Sequence, residues 1–163
     1  AQHQPLDLTK KIFSKKKNYE TFEIKEFSIF HLIINHLHIF QKKIELLSEL
    51  NLYSQTSKDF LNTLIEKISS KEIFDNESFK EKFKGTKYIE FINNIDQMSA
   101  VKYIIKKTQD ENQILSLYDE MANDLSKFEI SNKINILENK LIKDMNDKTY
   151  KELIDLKKLA NNS

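Results

Sequence analysis

The sequence predicts an all-α fold: a bundle of short helices, then a long connecting helix and a C-terminal two-helix hairpin. Three observations carry this expectation. A single glycine, Gly85, and a single proline, Pro5, leave almost no residues for the tight turns that antiparallel sheets use repeatedly. Charged residues make up 31% of the 163, which suits helices with wet outer faces. Apolar residues recur in steps of three and four through most of the chain, the spacing of one helical face.

Residues 1–26 are polar, with the run Lys15-Lys16-Lys17 and scattered Ile12, Phe13, Tyr19, Phe22 and Ile24; they read as a linker or loosely docked N-terminal arm. Residues 27–110 form the expected bundle subdomain. Its first helix starts at Glu26, and Phe27, Ile29, Phe30, Leu32, Ile33, Ile34, Leu37, Ile39 and Phe40 cover nearly every face. A helix apolar all round is buried, so this one belongs at the centre. Ile44, Leu46, Leu47 and Leu50 continue it as a second helix after a bend near His36 to Ile39.

Thr56 or Ser57 is placed to cap a helix with the stripe Phe60, Leu61, Leu64, Ile65 and Ile68. Asn76 offers a cap for a short helix through Phe79 to Phe83, and Gly85 falls where a left-handed residue ends it. Tyr88, Ile89, Phe91, Ile92 and Ile95 make another short helix, and Val101, Tyr103, Ile104 and Ile105 begin a further one.

Residues 111–163 hold the long helix and hairpin. Ile114, Leu117, Tyr118, Met121, Leu125 and Phe128 run into Ile130, Ile134, Leu137, Leu141 and Met145, with a flaw expected near Ile130 to Asn132. Asn146 and Asp147 break the pattern and cap a last helix carrying Tyr150, Leu153, Ile154, Leu156, Leu159 and Ala160. Helices joined by a short polar turn pack antiparallel. Ile136, Ile142, Leu156 and Leu159 do not all fit one buried stripe, so some apolar surface should stay exposed.

The chemistry available narrows quickly. The net charge is +1 and every basic residue is Lys, so neither a strong field for polyanions nor the arginine forks that clamp phosphate and guanine are present. Lys15 to Lys17 beside Tyr19 and Phe22 could meet single-stranded nucleic acid, but a solvated linker run explains them more simply. The absence of cysteine removes disulfides and thiol chemistry. One glycine removes phosphate loops and nucleophile elbows.

His31, His36 and His38 cluster in sequence, yet steps of two and five do not share a helical face, so no metal site is expected. Carboxylates such as Glu77/Glu81 and Asp119/Glu120 alternate with lysines at ion-pair spacing. No catalytic, cofactor or metal residues are therefore assigned, and the reading is of a non-enzymatic interaction domain. The stretch Phe27 to Phe40 is too short and too polar to span a membrane, and the start, with His3, Asp7 and Lys10, is no apolar leader. A cytoplasmic address is expected.

The element order, taken with three stretches, resembles the C-terminal helicase-binding domain of the bacterial replicative DNA primase. The stretches are Phe79-Lys80-Glu81-Lys82-Phe83-Lys84-Gly85-Thr86, the opening run Ile29 to Phe40 through Asn35-His36, and Met145 to Leu159. They span roughly residues 27–163. His36-Leu37 stands where relatives often place a proline. The resemblance implies that zinc-binding and polymerase domains lie upstream and that this piece docks on the N-terminal domains of the hexameric replicative helicase. There it would modulate the helicase during primer synthesis at the replication fork, as part of the primosome, with single-stranded DNA-binding protein as a further partner. The anchors expected on the hairpin are Ile142, Met145, Tyr150, Leu153, Leu156 and Lys157. The competing expectation is a self-associating helical scaffold or coiled coil, which needs heptads sustained across residues 111–160; the spacing slips near Phe128 to Ile130.

Overall fold

A computed structural model describes residues 21–72, 75–98, 110–144 and 146–162, and among them there is no strand. Helix α1, Thr21–Asn35, is followed by two short helices, α2 (Leu37–Phe40) and α3 (Ile44–Ser48). Then come α4 (Gln55–Ser69), α5 (Asn76–Phe83), α6 (Ile89–Met98), the 33-residue α7 (Glu111–Lys143) and α8 (Asp147–Asn161). The all-α expectation holds. The helix expected from Val101 lies outside the described residues, as do residues 1–20.

Helix α1 is the centre because its sequence from Glu26 to Ile34 leaves almost no wet face. Ile29, Phe30, Leu32 and Ile33 are fully buried, and α6 and the first half of α7 pack against it. Phe60 of α4 gathers Phe30, Phe79, Phe83, Tyr88 and Phe91 around it, with ring centroids 5.0 to 6.3 Å away. These tilted and edge-on contacts add to the burial of large apolar rings.

The break after α1 needs no proline. Asn35 Nδ2 donates to the His31 carbonyl at 2.8 Å, and His36 Nδ1 donates to the Leu32 carbonyl at 2.9 Å. These carbonyls would otherwise accept from the next helical turn, and His36 leaves helical geometry at φ −133°, ψ 38°. Burial holds the His36 imidazole below its ordinary pKa, partly offset by the Leu32 carbonyl and reinforced by nearby His38. The expected bend thus sits at His36.

Several boundaries move. The first helix begins at Thr21 rather than Glu26, and Phe22 is buried, so the last part of the expected arm belongs to the body. Helix α4 is capped by Ser54, whose Oγ accepts from the Ser57 N–H at 3.1 Å; Ser57, expected as a cap, is itself buried. Asp75 rather than Asn76 caps α5, in a reciprocal box with Ser78. Asp110 and Gln113 form the same device on α7, and Asn146 caps α8 as expected. Gly85 has φ +74° with open space around it, so it is the backbone angle that selects glycine there.

Glu26 is the unexpected member of the core. Its carboxylate is buried and accepts the backbone N–H groups of Tyr53 (2.9 Å) and Ser54 (3.3 Å). It therefore ties α1 to the start of α4, where the helix dipole also favours negative charge. Burial pushes its carboxyl above the usual range, and these hydrogen bonds pull partly back.

Candidate docking surface

Helix α7 runs without interruption from Glu111 to Lys143, so the flaw expected near Ile130 to Asn132 is absent. With no glycine or proline in that stretch, nothing forces a kink. What changes there is the partner. Ile114, Tyr118 and Leu125 are buried in the bundle core, whereas the second half packs against α8. At 3.6 residues per turn, the stripe Ile114, Tyr118, Met121, Leu125 and the stripe Ile130, Ile134, Leu137, Leu141 lie roughly 160° apart on the helix. The slip in spacing is the point where a stripe buried in the bundle hands over to a half-buried one on nearly the opposite side.

The handover is locked by aromatic residues. Phe22 packs on Tyr53 (4.5 Å) and Phe128 (5.8 Å), and Tyr53 meets Phe128 edge-on at 6.2 Å. Asn132 Nδ2 donates to the Tyr53 hydroxyl at 2.9 Å, and Lys25 pairs with Asp124. Nearer the core, the Tyr118 hydroxyl donates to the Leu46 carbonyl at 2.7 Å, and burial raises its pKa. Phe22, read as a candidate base-stacking side chain, is thus committed to the body; Lys15, Lys16, Lys17 and Tyr19 lie outside the described residues. The signal for Phe22 was present in the sequence, since it stands one helical turn ahead of Glu26.

Beyond the lock, α7 and α8 form the hairpin, bridged by Lys157 and Glu138 at 3.0 Å. Ile142 is 83% exposed and Tyr150 58% exposed, and Ile136 and Leu159 are also exposed. Leu153 is 6% exposed; it staples the hairpin and cannot be a surface anchor. Leu156 is half-buried, Lys157 is exposed and committed to Glu138, and Met145 lies outside the described residues. Of the expected anchors, the structure therefore presents Ile142 and Tyr150 to solvent as apolar surface.

The chain matches no family model, no curated protein and no solved structure. Function has to be argued from the surface itself.

Other features offer less chemistry. Among the described residues no group of three or more His, Cys, Asp or Glu side chains converges, and no helix is long and apolar enough to cross a membrane. His31 and His36 are buried and His38 is exposed, although on an unbroken helix His31 and His38, seven residues apart, would share a face; the break at His36 intervenes, and the His36 and His38 rings lie 6.3 Å apart. A cleft of about 500 Å³ runs beside the α3–α4 connection, floored by Leu47, Leu52, Leu61 and Ile65, with Lys58 and Glu129 on its rim. Ser48, Asn51 and Asn62 line it as well, so its walls are mixed, with one charge of each sign and no acid–base pair or nucleophile set among them.

Proposed function

We propose that the chain is a protein-docking domain that engages the N-terminal domains of a ring-shaped replicative helicase, as the helicase-binding part of a bacterial primase. The observation that carries the reading is the placement of exposed apolar side chains. Among the described residues, the exposed large hydrophobics are Tyr53, Ile136, Ile142, Tyr150 and Leu159, and all but Tyr53 sit on the hairpin. A contiguous body with its aromatic core covered has no need of a second apolar surface projecting from it, and such surfaces mark partner sites. The resemblance of Phe79 to Thr86, Ile29 to Phe40 and Met145 to Leu159 supplies the partner. In this reading the chain carries no active site, and single-stranded DNA-binding protein remains an additional partner.

The scaffold alternative draws on the same exposed residues. It is weakened by the handover on α7, because a stripe that turns through roughly 160° within one helix cannot hold one coiled-coil seam. Calorimetric titration of the whole chain against the purified N-terminal domain of the cell's own replicative helicase tests the proposal, with sedimentation of the chain alone beside it. Saturable heat and a monomer at micromolar concentration are expected. An absence of heat with folded components, or a stable dimer of the chain, would remove the docking reading.

A further inference from the structure

The cleft beside the α3–α4 connection lies next to the point where the chain enters the body. Phe22, in the first turn of α1, packs on Tyr53 at 4.5 Å and on Phe128 at 5.8 Å. Their chain neighbours Leu52 and Glu129 both line the cleft. Glu26 holds the Tyr53 and Ser54 N–H groups, so the connection that carries Leu52 is pinned to α1. With Cα atoms 3.8 Å apart along the chain, the near edge of the cleft is within about 15 Å of Phe22. The floor is large and aliphatic, made by Leu47, Leu52, Leu61 and Ile65, under a volume of about 500 Å³. A cavity of ~150 Å³ holds a benzene ring, so this cleft has room for a phenyl group and an aliphatic side chain together.

We propose that the cleft seats Ile12 and Phe13 of the chain's own N-terminal arm. Residues 1–20 lie outside the described residues, but their sequence holds one place where two large hydrophobic side chains adjoin, and it is Ile12-Phe13. The chain from Ser14 to Thr21 reaches at most ~28 Å, more than the ~15 Å to be spanned. A segment tethered so closely acts at an effective concentration on the order of millimolar, an advantage that a free partner with equal contacts lacks. Charge plays little part in the choice. Lys58 and Glu129 stand on the rim, Glu129 is already paired with Lys133 at 3.1 Å, and Ser48, Asn51 and Asn62 complete a mixed mouth. Lys10, Lys11 and Lys15 to Lys17 flank the apolar pair, which suits ends that stay in water. The seated arm closes the cleft, so a partner presenting similar side chains has to displace it. The inference is independent of the docking reading, which concerns the hairpin.

Disulfide trapping in the whole chain tests it. The protein has no cysteine, so engineered pairs report only on themselves, and closure needs the two Cα atoms within about 7 Å. Ser14→Cys with Asn62→Cys puts one thiol beside the arm's apolar pair and the other at an exposed position of the cleft. Ser14→Cys with Ser131→Cys is the comparison. Ser131 is exposed and stands three residues from Phe128, at a similar reach, but it lies about 200° around α7 from Glu129. A third variant adds Ile12→Asp and Phe13→Asp to the cleft pair. Under the same dilute oxidant the cleft pair should close about tenfold faster or more than the Ser131 pair, and the two aspartates should abolish that advantage. Circular dichroism confirms that each variant keeps its helix content, and Asn51→Cys, also exposed in the cleft, replaces Asn62→Cys where it does not. Equal closure to Ser131→Cys, or an advantage that survives the aspartates, overturns the proposal. Disulfide-linked dimers in place of closed monomers overturn it too, because the occupant is then the arm of a second copy.

Discussion

The body and the hairpin are built from the same residue types, but they bury them to different degrees. In the body, Phe60 is surrounded by five aromatic rings and α1 is covered almost throughout from Glu26 to Ile34. In the hairpin, Leu153 is the buried hydrophobic of α8, while Ile142 and Tyr150 face water. A two-helix layer encloses nothing, so each helix covers one side of the other and leaves the rest for a third element. The body's cohesion is internal. The hairpin's is completed by whatever packs on it, and the aromatic lock at Phe22, Tyr53 and Phe128 keeps that unfinished element attached to a finished one.

The largest effect should come from cutting into the body. Phe60→Ala removes the ring on which Phe30, Phe79, Phe83, Tyr88 and Phe91 converge, and is expected to cost about 3–5 kcal/mol in urea unfolding. Leu153→Ala removes a buried side chain too, but from a layer with one covered face. Its expected signature is local: amide exchange quickens across residues 130–162 while protection of α1 stays unchanged. Loss of protection in α1 as well would mean that body and hairpin unfold as one unit, and the contrast between them would fail.

Glu26 tests the seam inside the body. Glu26→Ala leaves the Tyr53 and Ser54 N–H groups without their carboxylate acceptor, at an expected cost of about 1–3 kcal/mol. Glu26→Gln keeps one acceptor oxygen and should cost less. The two also differ in pH dependence. Because burial raises the folded-state pKa above the ordinary 4.5, the folded protein holds this proton more tightly than the unfolded chain. The contribution is full below the unfolded value and is lost as pH rises through the folded one. Wild-type stability, measured relative to Glu26→Gln, should therefore fall as pH is raised from about 4 towards neutrality. A rise over that interval would mean that the backbone donors outweigh desolvation.

Helix type, order and most of the core were legible in the sequence because apolar spacing reports burial directly. The run Phe27 to Phe40 had to be central, and Gly85 had to end a helix. Caps were displaced by one to three residues, since Ser54, Thr56 and Ser57 are chemically equivalent candidates and tertiary packing chooses among them. Glu26 was invisible for a different reason: a buried carboxylate looks like any surface glutamate until the N–H groups across from it are known. The spacing slip at Phe128 to Ile130 was visible but suggested a flaw in the helix. A change of packing partner and a break in the backbone leave the same mark on an apolar stripe, and only the second arm of the hairpin distinguishes them. Exposure of Ile136, Ile142 and Leu159 was foreseeable by counting stripes; burial of Leu153 was not, because Tyr150, Leu153 and Leu156 follow one another at the same spacing.

The smallest effect sharpens the comparison most at the hairpin. Lys157 and Glu138 are both about half-exposed, and an ion pair in water contributes no more than about 1 kcal/mol and often nothing measurable. Lys157→Ala should therefore leave the unfolding midpoint of the free chain within error. When a partner covers this side of the hairpin, the same substitution strands Glu138 in a dry interface, where an unpaired charge is costly. Binding should then weaken more than folding does, and the gap should persist at high salt, because a buried charge is screened little. Equal, small effects on folding and binding would place the bridge at the wet rim of the contact and move its centre towards Ile142 and Tyr150.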